Sequence, residues 1–135
     1  MINKNIEQYR QQGILSEVAV ASPYRLIQML YEGALERIAV ARGAMQAGNI
    51  AKKGEQIGKA IDIVESLRAA LDHDIGGELS GQLDALYEYM AFRLLQANLH
   101  NEIEALDEVT RLLREIKAGW DAIPPEEQNP QLPVR

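Results

Sequence analysis

Residues 22–47, SPYRLIQMLYEGALERIAVARGAMQA, constrain the fold more than any other stretch of the chain. Ser22 is placed to cap a helix, its hydroxyl accepting from a first-turn N–H. Pro23 follows at the first helical position, where a missing N–H costs nothing. Apolar residues then recur at helical spacing, at Leu26, Ile27, Leu30, Tyr31, Ala34, Leu35, Ile38, Ala41 and Met45, with Arg25, Gln28, Glu32, Glu36, Arg37 and Gln46 between them. A helix with so broad an apolar face is not satisfied alone. It needs other helices against it, and the chain is expected to supply three.

Gly48 closes this helix and Asn49 caps the second. Ile57, Ala60, Ile61, Val64, Leu67 and Leu71 form its inner stripe, and Lys52, Lys53, Glu55, Lys59, Asp62 and Glu65 fall mainly on the other side. Gly54 and Gly58 sit inside it at roughly 1 kcal/mol each. Close approach of a neighbouring helix is the expected compensation, with a ligand as the alternative. Asp72–Gly77 reads as a loop punctuated by two glycines. The third helix begins near Glu78 or Ser80 and runs through Asn98, with a core stripe of Leu79, Leu83, Leu86, Tyr87, Met90, Leu94 and Ala97. A second stripe, Tyr89, Phe92, Leu95 and Leu99, lies on a different side. A helix apolar on two faces is either central or lies at an interface. Asn101 is read as the cap of the fourth helix, with Glu104 completing a capping-box pair. Leu106, Val109, Leu113, Ile116, Trp120 and Ile123 then repeat in alternating three- and four-residue steps, a seam for near-parallel packing in a left-handed bundle. Pro124-Pro125 stop the helix.

The expected fold is all-α, an antiparallel four-helix bundle, since short connections make consecutive helices antiparallel neighbours. Residues 22–123 form the bundle, 1–21 an N-terminal cap segment and 124–135 a flexible tail. The cap segment is short for a free helix. With Ile2, Ile6 and Tyr9 on one side and Ile14, Leu15, Val18 and Val20 beyond Gly13, it is also too apolar for a solvated tail. It is expected to dock as a strap, whether structural or functional.

Much chemistry is excluded. The net charge is -6 and no dense Lys/Arg cluster exists, which disfavours nucleic acid and anionic membrane surfaces as partners. Cysteine is absent, which removes disulfides and thiolate chemistry. No secretory h-region is visible at the N-terminus, and no apolar run approaches the roughly 20 residues that cross a bilayer; a cytoplasmic protein is expected. The Glu-x-x-His pairs of di-iron bundles fail at both histidines, with Ala70 three residues before His73 and Ala97 three before His100. His100 and Glu104 stand a turn apart, but across the expected cap at Asn101. No G-x-S-x-G elbow or phosphate-cradling loop is present. No catalysis, metal or cofactor is expected. Two rivals to a binding role remain: a bundle whose surplus apolar face pairs only with itself, and a metal or cofactor enzyme on a bundle scaffold.

An ordered series of positions resembles the flagellar secretion chaperone family FliS. It starts with the Ile6-x-x-Tyr9 pair, then Ala21-Ser22-Pro23, Leu26-Ile27 and Met29-Leu30-Tyr31-Glu32-Gly33-Ala34. Lys53-Gly54-Glu55, Lys59-Ala60-Ile61-Asp62-Ile63 and Leu71-Asp72 before Gly76-Gly77-Glu78 continue it. Leu86-Tyr87-Glu88-Tyr89-Met90, Arg93-Leu94-Leu95-Gln96-Ala97-Asn98, Asn101, Glu108-Val109 and Trp120 complete it. The resemblance implies a cytoplasmic chaperone that binds the disordered C-terminal segment of flagellin. It would prevent premature polymerisation and deliver the subunit to the flagellar export gate without using ATP.

The physics implied is groove recognition, with a client helix laying its apolar face on the bundle. Partner contacts are expected from Leu26, Ile27, Leu30 and Tyr31 on the first long helix. On the third they are expected from Tyr87, Tyr89, Met90, Phe92, Leu94 and Leu95. Asn98 and Asn101 are either client hydrogen-bonders or helix caps. Ile6 and Tyr9 would cover part of the client groove until a client arrives. The Tyr89–Phe92–Leu95 stripe is either a client groove, a homodimer face, or covered by neighbouring helices.

Overall fold

The computed structural model describes residues 21–128. The expected Ile6 and Tyr9 contacts, and residues 1–20 of the expected strap, lie outside the described residues. Four long helices follow one another: α1 (Pro23–Ala47), α2 (Ile50–Ala69), α3 (His73–His100) and α4 (Ile103–Asp121), with a single turn, α5 (Pro125–Gln128), after them. No described residue is in a strand.

The first boundaries are set by the expected caps. Ser22 Oγ accepts from Arg25 N–H at 3.1 Å. Gly48 takes a left-handed conformation at φ 75 and turns the chain, and Asn49 Oδ1 accepts from Lys52 N–H at 3.1 Å. At the start of α3, Asp72 caps the N–H groups of Asp74 and Ile75. Gly77 interrupts that helix at φ 54, ψ -123, a region in which a Cβ is strained. The expected loop is therefore one helical turn followed by a glycine kink, and the long straight run begins at Glu78.

The α3–α4 corner differs from expectation. Asn101 does not cap α4. It ends α3 in the left-handed conformation at φ 53, a site where asparagine is tolerated. Glu102 occupies the N-cap of α4 and makes no side-chain capping bond there. At the far end, residues 125–128 form one further turn, α5, and Gln128 Nε2 donates to the Ile123 carbonyl at 2.9 Å.

Each helix packs on its neighbours in chain order, and α4 closes the ring against α1. The interior is filled by Leu30, Tyr31 and Ile38 of α1, Ile57, Val64 and Leu67 of α2, Tyr87, Met90 and Leu94 of α3, and Leu106, Val109 and Leu113 of α4. Truncating one of the large aliphatic members to alanine costs about 2–5 kcal/mol by the usual cavity scale. The open ends of α1 and α4 are joined by a reciprocal lock. Tyr24 and Trp120 stack with centroids 5.4 Å apart. The Tyr24 hydroxyl donates to the Trp120 carbonyl, and the indole N–H donates to the Tyr24 carbonyl, both at 3.1 Å.

Three expectations about faces are corrected. Leu79 was placed in the core stripe but is exposed, two residues past the Gly77 kink. Lys53, assigned to the outer side of α2, is buried. Gly58 faces open space, so close helix approach does not explain it; at Gly54 a Cβ would meet only the Asn98 side chain, at an ordinary 3.8 Å.

Candidate functional site

The feature left over once the bundle is closed is the outer face of α3. Tyr89 (41% exposed), Phe92 (55%), Leu95 (47%) and Leu99 (66%) stand on it, on the side away from Tyr87, Met90, Leu94 and Ala97. Isolated surface apolar residues are ordinary, whereas a continuous stripe rimmed by polar groups marks an interaction surface. The covered-by-neighbours alternative for this stripe does not hold among the described residues. Ile75 and Leu79 add exposed apolar surface near the Gly77 kink.

The rims of the stripe are tied to the neighbouring helices by polar contacts. On the α4 side, Glu108 accepts from the Tyr89 hydroxyl and from Arg93 Nε, both at 2.7 Å. Arg93 also reaches Gln96 at 2.8 Å and Glu102 at 3.3 Å. The hydrogen bond to Glu108 raises the Tyr89 phenol above its ordinary value, and the bonds from Tyr89 and Arg93 hold the Glu108 carboxyl below the usual glutamate range. On the α2 side, Arg68 grips Asp84 through Nε at 2.7 Å and Nη2 at 3.3 Å, which lowers the Asp84 carboxyl. Such two-pronged guanidinium–carboxylate pairs fix geometry as well as charge.

The C-terminal end of the stripe is anchored from below. Lys53 Nζ donates to the Asn98 carbonyl at 2.9 Å and to Asn101 Oδ1 at 2.6 Å. A cation at the C-terminus of α3 meets the negative end of the helix dipole and occupies carbonyls that end without a helical partner. Asn101 thus has a structural partner, and Asn98 is half-buried with its carbonyl engaged.

The residues expected to touch a partner divide accordingly. Leu26, Leu30, Tyr31, Tyr87, Met90 and Leu94 are interior side chains that pack the core and present no open surface in this structure. Ile27 is half-buried. Tyr89, Phe92 and Leu95 come together on the α3 face. Sequence reasoning missed Lys53 and the Glu108–Arg93 clamp, and it missed that Gly81 and Ala85 extend the stripe toward the N-terminus. Their signal was available in the four- and three-residue spacing back from Phe92. Among the described residues, no group of three or more His, Asp or Glu is placed to hold a metal ion, and no helix is long and apolar enough to cross a membrane.

The described surface of α3 therefore carries an exposed apolar stripe between polar rims. Comparison with known proteins adds to this. The family model described as "Flagellar protein FliS" matches residues 4–127. Flagellar secretion chaperone FliSB of Pseudomonas aeruginosa is 55% identical over 120 residues, covering 89% of this chain and 95% of its own length. Flagellar secretion chaperone FliS of Vibrio cholerae is 44% identical over 125 residues, covering 93% of this chain and 92% of its own. The protein of the same name from Salmonella typhimurium is 44% identical over 121 residues, covering 89% and 90%.

Proposed function

The chain belongs to the FliS family of flagellar proteins, and we propose that it is a cytoplasmic export chaperone for the disordered C-terminal segment of flagellin. By covering that segment it prevents premature polymerisation and presents the subunit to the flagellar export gate. The observation that supports this reading is the apolar stripe of α3, Tyr89, Phe92, Leu95 and Leu99, exposed among the described residues on a bundle with a closed core.

A disordered client helix gains its free energy by burying one apolar face, and it must first offset the several kcal/mol cost of ordering. A rigid acceptor keeps that cost on the client's side alone. The Tyr89–Glu108–Arg93 contacts and the Arg68–Asp84 pair hold α3 in place before a client arrives. The polar rim supplies the donors and acceptors that set register. No bond is made or broken in this role, and no nucleotide is required.

The test is a pull-down with intact flagellin beside flagellin lacking its C-terminal segment. Retention of the intact protein and loss of the truncated one is expected. Equal retention of both, or of neither, contradicts the proposal.

A further inference from the structure

The two halves of α4 are held differently. Its buried residues, Ala105, Leu106, Val109 and Leu113, all lie before Arg114. Beyond them the seam continues through Ile116 and Trp120, but both are only half-buried. The polar ties divide at the same place. In the first half, Glu102 and Glu108 hold Arg93 of α3, Glu108 also holds Tyr89, and Asp107 pairs with Arg42 of α1 at 2.7 Å. Past Glu108, no hydrogen bond or ion pair joins α4 to α3 among the described residues.

Apart from the Lys117–Asp121 pair within the helix, the polar ties of the second half run to α1 and converge on one spot. The Tyr24–Trp120 lock lies there, and Gln28 Nε2 adds bonds to Asp121 at 2.6 Å and to the Tyr24 hydroxyl at 3.2 Å. Local propensity gives this half little support. Gly119 is a poor helix former, and a Cβ there would meet nothing within 4 Å. Asp121 puts a carboxylate at the negative end of the helix dipole, in a last turn without a basic residue. A segment with few buried apolar groups and weak propensity opens more readily than the rest of its domain. The register set by the Arg42–Asp107 and Tyr24–Trp120 contacts places Ile116 near the level of Leu30, so this half lies along the N-terminal part of α1.

We propose that residues 114–121 form a flap, latched to α1 by the Tyr24–Trp120 lock, which opens as one unit about a hinge after Leu113 while the rest of the bundle stays folded. Opening uncovers Ile27 and Leu30 of α1. A slot vacated by an amphipathic helix fits another amphipathic helix, and a helix of the client takes the place of the flap. The α3 stripe keeps its position throughout, because its ties to α4 end at Glu108. The displacement rests on the function proposed above; the flap and its latch do not.

Hydrogen exchange of the full chain, without client, tests the flap. The amides of residues 114–121 are expected to exchange together, about tenfold or more faster than those of residues 105–113. Tyr24→Phe keeps the ring but removes the hydroxyl that joins the Trp120 carbonyl to Gln28. It is expected to speed exchange across 114–121 by a further factor of about three or more, with no matching change in 105–113. Acrylamide quenching of Trp120, the sole tryptophan, should rise with it. Exchange that is uniform along α4, or that grades inward from Asp121 and ignores Tyr24→Phe, overturns the flap. The displacement is tested with the flap held shut. The chain has no cysteine, so a double variant, Gln28→Cys with Asp121→Cys, couples across the latch through a short bis-maleimide. The coupled protein is expected to bind the flagellin C-terminal segment about tenfold or more weakly than the same variant left uncoupled. Equal affinity overturns the displacement. A wild-type chain that binds no flagellin segment removes the proposed client and the displacement together, and leaves the flap to stand or fall on the exchange result.

Discussion

The hydroxyls of Tyr31 and Tyr87 meet 2.7 Å apart at the centre of the bundle, reaching across the diagonal between α1 and α3. Both rings are buried, and burial pushes both phenols above their ordinary value. Either oxygen can be the donor. The pair is thus a polar pin inside an apolar core, and each hydroxyl depends on the other.

Removing one hydroxyl strands the other. Tyr31→Phe or Tyr87→Phe alone is expected to cost about 1–3 kcal/mol, because a buried polar group loses its partner. The double variant is expected to cost less than the sum of the two singles. Urea unfolding of the four proteins gives the coupling directly. Strictly additive costs contradict the pin.

Lys53 gives a second prediction. Its ammonium satisfies the Asn98 carbonyl and the Asn101 side chain at the α3 C-terminus. Lys53→Met keeps the aliphatic stem and removes the charge. A loss of about 1.5–3 kcal/mol is expected for hydrogen bonds from a charged group. Amide exchange should accelerate first at the corner around residues 98–102. A uniform change across the bundle argues against a local anchor.

The two interior glycines with unlike surroundings should respond in opposite directions. Gly58 faces open space inside α2, so Gly58→Ala is expected to stabilise by about 0.4–1 kcal/mol. Gly77 sits at φ 54, so Gly77→Ala is expected to destabilise by more than that. Thermal unfolding of the two variants checks both signs.

Acid should loosen the α3–α4 rim. The carboxyl of Glu108 is held below its ordinary value of 4.5 by the bonds from Tyr89 and Arg93. A depressed folded-state value means that the contribution is complete above the unfolded value and is lost as pH falls through the folded one. Wild type should therefore lose stability below pH 4.5 more steeply than Glu108→Gln, with the other carboxylates common to both. Parallel pH profiles contradict the clamp.

The helices were legible because their signals are local. Ser22-Pro23, Gly48-Asn49 and the glycines at 76 and 77 act within a turn of themselves, and the apolar spacing of α1 and α4 reports burial directly. The surplus stripe on α3 was legible for the same reason, since Tyr89, Phe92 and Leu95 could not share a face with Met90 and Leu94. What the pattern misplaced depends on tertiary neighbours. Lys53 reads as a surface cation until the end of α3 is seen above it. Asn101 reads equally well as the start of one helix or the end of another, and only its positive φ decides. Leu79 keeps the core phase but is exposed beside the Gly77 kink. The interior position of Leu26, Leu30, Tyr31, Tyr87, Met90 and Leu94 follows from their own periodicity, which cannot distinguish a face packed by the chain from one kept for a partner.

The α3 stripe is the proposed seat of the flagellin segment. Isothermal titration of that segment into wild type and into Phe92→Asp tests it most directly. Phe92 is more than half exposed, so the substitution should change folding stability by no more than about 0.5 kcal/mol, while affinity falls about tenfold or more, the loss of one well-buried apolar anchor. Unchanged affinity in a fully folded Phe92→Asp variant would contradict the account.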